Sequence, residues 1–219
     1  MFRLKFEWGK STWVSVLLLV LLFPVALTLP EEYSFENHLI ENLQVVVLLG
    51  GFVMTLRFVG EMRDYVHIRN FWLTALPIWL IMALRELSWG RAFYPVGMTE
   101  DGPVFISLQD LWYGPAVHPT LGVVIVVLLF FAWKHLRALG GRTAVCLSVV
   151  DMALFVALSL ASQMVFEKGV ISALKPYSQM LEECAELISY WCLVSAAHIA
   201  MRYHARAAHR LDAPRRWGR

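Results

Sequence analysis

The segment IRNFWLTALPIWLIMALRELSWGR, residues 68–91, decides the class of fold to expect from this sequence. Its first part is almost entirely apolar and is long enough, at about 20 residues, to cross the hydrocarbon core of a bilayer as a helix. The segment then closes with Arg85 beside Glu86, two charged side chains that are costly at a lipid-facing position. The sequence therefore predicts a membrane-spanning helix whose end contributes charge to a shared polar site.

The composition of the whole chain is that of a membrane protein. Of the 219 residues, 58% are hydrophobic and only 16% are charged, far from the balance of an average soluble domain. Nine tryptophans supply aromatic side chains of the kind that anchor helix ends at membrane interfaces. The chain lacks the motifs of DNA- and RNA-binding modules, so nucleic acid is not an expected partner.

Six segments are apolar enough and long enough to span the membrane. They cover residues 11–29, 38–58, 68–88, 118–136, 143–165 and 181–203. No internal repeat, linker or low-complexity stretch indicates a second domain. The sequence therefore predicts an all-α polytopic membrane protein, with about six transmembrane helices in one bundle over residues 1–203 and a basic tail over 204–219.

The distribution of Lys and Arg predicts the orientation of this bundle. The N-terminal segment, the second and fourth loops and the tail RYHARAAHRLDAPRRWGR are basic, whereas the other loops are mostly acidic. Basic segments stay in the cytoplasm, so we expect a multi-pass membrane protein with both termini inside. In the third loop, VFISLQDLWYG (104–114) is expected to form a short helix lying in the interface, above the outer ends of the spans.

The acidic residues gather at the outer end of the predicted bundle. Those at or just inside the outer ends of the second, third and sixth spans are Glu36, Glu41, Glu86, Glu182, Glu183 and Glu186. Helical spacing places Asn37, Glu41 and Gln44 on one stripe of the second span. It places Glu183, Glu186 and Tyr190 on one stripe of the sixth. Because a charge near the bilayer centre costs roughly 2.5–3.5 kcal/mol, we expect these groups to share one outward-facing cavity, with Arg85 neutralising part of their charge.

A structural explanation accounts for some of these residues. A negative charge at a helix N-terminus is stabilised by the helix dipole, which is sufficient for Glu36, Glu182 and Glu183. It does not explain Glu86, which closes a helix at the end where a negative charge is unfavourable, or the deeper Glu186. For these the sequence favours a functional site or a polar network.

Crowded carboxyl groups in a low-dielectric site either hold protons or bind a cation. The candidate catalytic residues are Glu41, Arg85, Glu86 and Asp151, the last predicted near the middle of the fifth span. The candidate metal ligands are Glu41, Glu86, His118, Glu183 and Glu186. Zinc, manganese and iron accept such a mixed nitrogen and oxygen set, so a divalent metal is the cofactor to consider. The alternatives are a solvated His118, and an Asp151 that is a buried acid bonded to a neighbouring helix.

Three segments resemble motifs of a loose group of small bacterial polytopic membrane proteins. ENHLIENLQ (36–44) resembles an E-[DN]-x-x-x-E helix start, RELSWGR (85–91) an [RE]-E-x-[SD]-W-G helix end, and LEECAEL (181–187) an E-E-x-x-E-L helix. The matching positions are Glu36, Glu41, Arg85, Glu86, Trp89, Gly90, Glu182, Glu183 and Glu186. The group has no assigned activity, so the resemblance implies that the acidic residues matter without assigning a reaction.

Three functions fit these features. The first is an enzyme site for a lipid or lipid-linked substrate, with a divalent metal. The second is a cation- or proton-coupled transporter in which Asp151 continues the path inward. The third is an accessory or scaffold subunit of a membrane complex, joined by its polar stripes. A binding or catalytic site is favoured narrowly over transport, because the sequence indicates neither broken helices nor internal pseudo-symmetry. Expected partners are membrane lipids, a lipid-linked substrate or a partner membrane subunit.

Overall fold

The computed structural model describes residues 4–35, 37–99, 102–139 and 145–212, and these residues are mostly helical. Six of the described helical stretches are long and apolar enough to span a membrane. They are Lys10–Thr28, Leu39–Glu61, Val66–Glu86, Gly114–Ala138, Val149–Phe166 and Ser172–Ala208. The number of spans expected from the sequence is therefore confirmed, and the last one is longer than expected.

The α-helices that build these stretches are α1 (Lys10–Thr28), α2 (Leu39–Glu61), α3 (Val66–Leu73), α4 (Ala75–Glu86), α5 (Gly114–Leu139), α6 (Val149–Ala161) and α7 (Ser178–Asp212). The third span is interrupted at Thr74, between α3 and α4, although the backbone of this residue stays helical, with φ −71° and ψ −18°. The fifth continues from α6 into a π-helical segment, Ser162–Phe166. We call the end of the molecule where α4 ends and α7 begins the acidic end, and the opposite end, where α2 ends, the basic end.

Short strands and turns connect the helices. β1 (Leu4–Phe6) pairs in parallel with β4 (Val145–Leu147), and β2 (Pro95–Thr99) pairs in antiparallel with β3 (Gly102–Phe105). The 3-10 turns are Glu31–Ser34, Ser88–Phe93, Leu108–Asp110 and Ser172–Tyr177. The interfacial helix expected over 104–114 is wrong, because this segment contains the end of β3 and one 3-10 turn. Strand β2 lies only a few residues upstream and pairs with β3, so backbone groups of β3 are hydrogen-bonded. A helix this short would leave many of its backbone groups unpaired at its two ends.

Helix α7 is the centre of the packing. The apolar core consists of three clusters, formed with α1 and α6, with α2 and α3, and with α2 and α4. Each cluster includes side chains of α7, such as Leu181 in the first, Met201 in the second and Tyr190 in the third. Polar residues on α7 are therefore carried into the interior of the molecule.

Helix α5 is peripheral by comparison. Its main packing partners are α3 and the Leu108–Asp110 turn. In the most apolar stretch of α5 that is long enough to span a membrane, no residue is buried inside the protein. This is the arrangement expected of a helix that faces lipid on most sides.

The last helix extends well past residue 203, where the sequence analysis placed the start of a basic tail. α7 continues to Asp212, and His204 is buried within the protein. The indole nitrogen of Trp72 donates a hydrogen bond to His204 Nδ1 at 3.0 Å. The helix continues because α3 packs against this turn of α7; the remainder of the expected tail, 213–219, lies outside the described residues.

Candidate functional site

The last turn of α4 brings Glu86 against α7. Trp79, Ala83 and Glu86 are spaced by four and three residues and form the buried face of α4. Glu86 is 8% exposed, and its Oε1 accepts a hydrogen bond from the Tyr190 hydroxyl at 2.6 Å. Arg85 Nε lies 3.7 Å from the same oxygen. A carboxyl group at the unfavourable end of the helix dipole is thus held by a hydroxyl and a guanidinium.

Glu186 is the second buried carboxyl group and joins three elements. Its Oε1 accepts hydrogen bonds from Arg85 Nη2 at 3.1 Å, Ser162 Oγ at 3.1 Å and Gln163 Nε2 at 2.8 Å. Ser162 and Gln163 begin the π-helical segment after α6, and segments of this kind are frequent at functional sites. The guanidinium of Arg85 therefore bridges Glu86 and Glu186, with half of its side chain exposed to the surroundings.

A second group of carboxyls lies where α2 meets α7. Gln44 Nε2 donates hydrogen bonds to Glu183 Oε2 at 2.8 Å and to the Glu183 carbonyl oxygen at 3.0 Å. Gln44 is fully buried, and its Oε1 has no hydrogen-bond partner among the described residues. The amide N–H of Asn37 donates to Glu41 Oε2 at 2.5 Å. The polar stripes expected on the second and sixth spans thus meet.

The two groups form one electrostatic unit. We call it the carboxylate cluster; its members are Glu41, Arg85, Glu86, Glu182, Glu183 and Glu186. Glu183 lies within electrostatic range of Glu41, Glu182 and Glu186, and Glu182 within range of Arg85. Within the described part of the chain, the ion pairs recorded for this cluster both involve Arg85. Five carboxyl groups from three helices thus lie in one cluster, in which Arg85 pairs with Glu86 and Glu186.

Strained backbone surrounds the cluster. The non-glycine residues with positive φ among those described are Asn37 at 62°, Ser88 at 47° and Trp89 at 58°, and Gly90 follows at 91°. Asn37 donates to Glu41, and the other three directly follow α4. A Cβ on Gly90 would lie 2.8 Å from the Tyr113 hydroxyl, so both the conformation and the space favour glycine. Such residues cost about 1–3 kcal/mol each and concentrate at functional sites.

Two of the expected site residues lie elsewhere. His118 is exposed on α5 and lines a cavity of about 860 Å³ together with Arg91, Phe105 and Gln109. Within the described residues, no hydrogen bond or ion pair joins His118 to the carboxylate cluster, and no three His, Cys, Asp or Glu side chains are arranged to hold a metal ion. The mixed metal site expected from Glu41, Glu86, His118, Glu183 and Glu186 is therefore not assembled in the structure.

Asp151 lies in the first turn of α6, near the basic end, and not at the middle of a span. The sequence analysis began this span at residue 143, whereas the helix begins at Val149. Asp151 is fully buried and accepts hydrogen bonds from Thr12 Oγ1 at 2.7 Å, from Ser15 Oγ at 2.6 Å and from the Ser148 hydroxyl. These contacts match the alternative of a buried acid bonded to a neighbouring helix.

Sequence reasoning missed the donors that complete the site. Ser162 and Gln163 interrupt an apolar run shortly before the acidic end, and this interruption is a signal that could have identified them. Glu36, also a candidate, lies outside the described residues. Trp89 and Gly90, the other motif positions, form the left-handed turn that follows Glu86.

No protein-family model, curated protein or solved structure matches this chain. The fold and the site define its class: a mostly helical protein with six helices long and apolar enough to span a membrane, and with a carboxylate-rich acidic end.

Proposed function

We propose that this chain is a six-span protein of the bacterial inner membrane, with both termini in the cytoplasm. We propose further that its carboxylate cluster, whose described side chains are not arranged to hold a metal ion in this structure, holds protons here and rearranges on losing them to bind a cation from the periplasmic side. Such a site is the coupling site that a cation- or proton-coupled transporter requires. The observation that supports this function best is the presence of five carboxyl groups with one guanidinium. Like charges at this density in a low-dielectric environment require protons or a bound cation.

The burial of the cluster favours a small ion over a larger substrate. Glu86 and Glu186 are each 8% exposed. An ion needs little room beside them, whereas an enzyme must bring its substrate into contact with the reacting groups. Half-exposed Arg85 and the less buried Glu182 and Glu183 offer the ion a route from the aqueous side.

Gln44 is suited to a site that changes its protonation state. Its Nε2 donates to the Glu183 carboxylate, while its Oε1 has no partner among the described residues. An amide carries both donors and acceptors. Rotation of this amide would let Oε1 accept a hydrogen bond from a protonated Glu183 or coordinate a cation, so one side chain can serve both states.

Calorimetric titration of the purified protein with Na⁺, Ca²⁺ or Mn²⁺ tests the proposal. Titrations in two buffers of different ionisation enthalpy count the protons released. We expect saturable binding of at least one cation with proton release, and at least about tenfold weaker binding in Glu183→Gln, which corresponds to about 1.4 kcal/mol. Glu183→Gln retains a hydrogen-bonding side chain for Gln44 and removes only the charge.

The matched control is Glu61→Gln, because Glu61 is an exposed carboxyl at the basic end of α2. It should bind the cation as the wild type does. Absence of both cation binding and proton release in the wild type would overturn the proposal, and so would equal affinity in Glu183→Gln. Transport in proteoliposomes then separates a transporter from a protein that only binds the ion.

A second candidate function is binding or catalysis on a lipid-linked substrate at the acidic end. The observation that favours it is the 860 Å³ cavity lined by Arg91 and His118, two side chains suited to a phosphate group. Arg91 Nε already donates to the Ile106 carbonyl oxygen at 2.7 Å, which orients the guanidinium. Retention of a polyprenyl phosphate by the wild type, and its loss in Arg91→Gln, would favour this candidate.

A further inference from the structure

A second cavity, of about 620 Å³, lies between α2 and α7 toward the basic end. Its α2 wall contains Gly50, Val53, Met54, Arg57 and Glu61, which follow one another at helical spacing and form one face of the helix. Its α7 wall is a matching face, at positions 198, 201, 202 and 205. The space beside Gly50 is open, because a Cβ built on it meets no atom within 4 Å.

Positive charge lines this cavity. Arg57 of α2 and Arg202 of α7 contribute their guanidinium groups, and His198 lies within electrostatic range of Arg202. Within the described residues, neither arginine forms an ion pair; the recorded pairs are those of Arg85 and Arg206. Glu61 offsets one of the two charges, so the cavity keeps an excess of at least one positive charge.

The remainder of the lining is mostly apolar and extends toward the middle of the span. From Arg57 to Gly50 is seven residues, or about 10 Å along the helix at about 1.5 Å per residue. Leu49, Val53 and Met54 line this part. A cationic region at a helix end that continues into an apolar groove matches the two parts of a phospholipid, an anionic headgroup and an acyl chain.

We propose that this cavity is a binding site for an anionic phospholipid of the leaflet at the basic end. The phosphate group lies between Arg57 and Arg202, where guanidinium groups can donate paired hydrogen bonds to its oxygens. One acyl chain lies in the groove beside Gly50. This inference does not depend on the carboxylate cluster, which lies at the other end of α2 and α7.

Lipid retention by the full-length protein tests the inference. Delipidated protein in a non-ionic detergent is titrated with dioleoyl phosphatidylglycerol or with dioleoyl phosphatidylcholine, and bound lipid is counted by native mass spectrometry. We expect about tenfold or greater preference for phosphatidylglycerol. At a hundredfold excess over Kd, this lipid should raise the Tm by roughly 5 °C.

Two variants remove different parts of the site, and each has a control on α5. The double variant Arg57→Gln/Arg202→Gln removes the charge and should bind the two lipids equally. Gly50→Leu fills the groove, keeps both arginines and should also lose the preference. The controls are Arg137→Gln and Gly122→Leu, since Gly122, like Gly50, has no atom within 4 Å of a built Cβ; both should behave as the wild type.

Equal retention of the two lipids by the wild type would overturn the inference. Unchanged preference in the double arginine variant would also overturn it, and this variant changes only exposed side chains, so its folding is not in question. Inorganic phosphate is the third probe. If it stabilises the protein as much as phosphatidylglycerol does, the site binds a soluble anion and the lipid assignment is wrong.

Discussion

Asp151 shows how one buried carboxylate can join two helices without a catalytic role. Thr12 and Ser15 are three residues apart on one face of α1, and both hydroxyls donate to Asp151. Ser148, just before α6, contributes a third hydroxyl. The contacts of Asp151 are therefore those of a structural clamp between α1 and α6.

Removal of the Asp151 carboxylate should destabilise the protein strongly. Asp151→Ala leaves buried hydroxyl donors without an acceptor, at about 1–3 kcal/mol for each unsatisfied group. Asp151→Asn keeps one acceptor oxygen and should cost less. Denaturant unfolding in detergent micelles measures both variants. Asp110→Ala, at an exposed aspartate in a turn, is the control; equal stability of Asp151→Ala and Asp110→Ala would contradict the clamp.

Glu86 is the reverse case, because its position within its own helix is unfavourable. It is the last residue of α4, where the helix dipole disfavours a negative charge. The charge is offset by the Tyr190 hydroxyl and by Arg85. The residue thus depends on tertiary contacts, and this is the property that distinguishes it from acidic residues that begin a helix.

At the scale of elements, the contact between α2 and α4 depends on one glycine. A Cβ on Gly51 would lie 2.9 Å from the ring of Trp79. The Trp79 indole nitrogen donates to Thr55 Oγ1 at 3.0 Å, and the Thr55 hydroxyl donates to the Gly51 carbonyl oxygen at 2.8 Å. This close approach sets the position of α4 on α2, and therefore the position of Glu86 at its end.

Gly51→Ala should destabilise the protein because a methyl group would overlap the Trp79 ring, which is packed in the core. Overpacking of this kind costs about 1–3 kcal/mol. The control is Gly60→Ala in the same helix, where a Cβ meets nothing within 4 Å; it should stabilise the helix by about 0.5–1 kcal/mol. Thermal unfolding of both variants measures the difference. Equal Tm values would show that Trp79 moves without cost.

At the scale of the whole molecule, stability is distributed unevenly among the helices. α7 contributes to all three core clusters, whereas the most apolar window of α5 has no buried residue. The carboxylate cluster and the proposed lipid site lie at opposite ends of the same two helices, α2 and α7. A ligand at either end would therefore act on two helices that both contribute to all three core clusters.

Hydrogen exchange should follow this distribution. In detergent, the amides of residues 181–201 of α7 should exchange most slowly, because opening them disrupts every core cluster. The amides of α5 should exchange faster, although both helices are long and apolar. Mass spectrometry of peptides from both helices measures the rates, and faster exchange in α7 than in α5 would contradict the central position of α7.

The local sequence pattern determined which segments form long apolar helices. The length and hydropathy of these segments were sufficient to predict six spans, since each helix must satisfy its own backbone hydrogen bonds in lipid. Helical spacing was sufficient to place Glu41 and Gln44 on one stripe and Glu183 and Glu186 on another, each near the same end of its span. These properties depend on residues close together in the sequence, and sequence alone therefore determined them.

Only the tertiary structure decided which side chains became partners. It put Glu86 against Tyr190, placed His118 on a peripheral helix in a cavity with Arg91, and moved Asp151 to the first turn of α6. It also made α7 the central helix. The rotation of each helix and the choice of its neighbours follow from side-chain packing between distant segments, such as the Gly51 and Trp79 contact. Hydropathy along one segment carries no information about that packing.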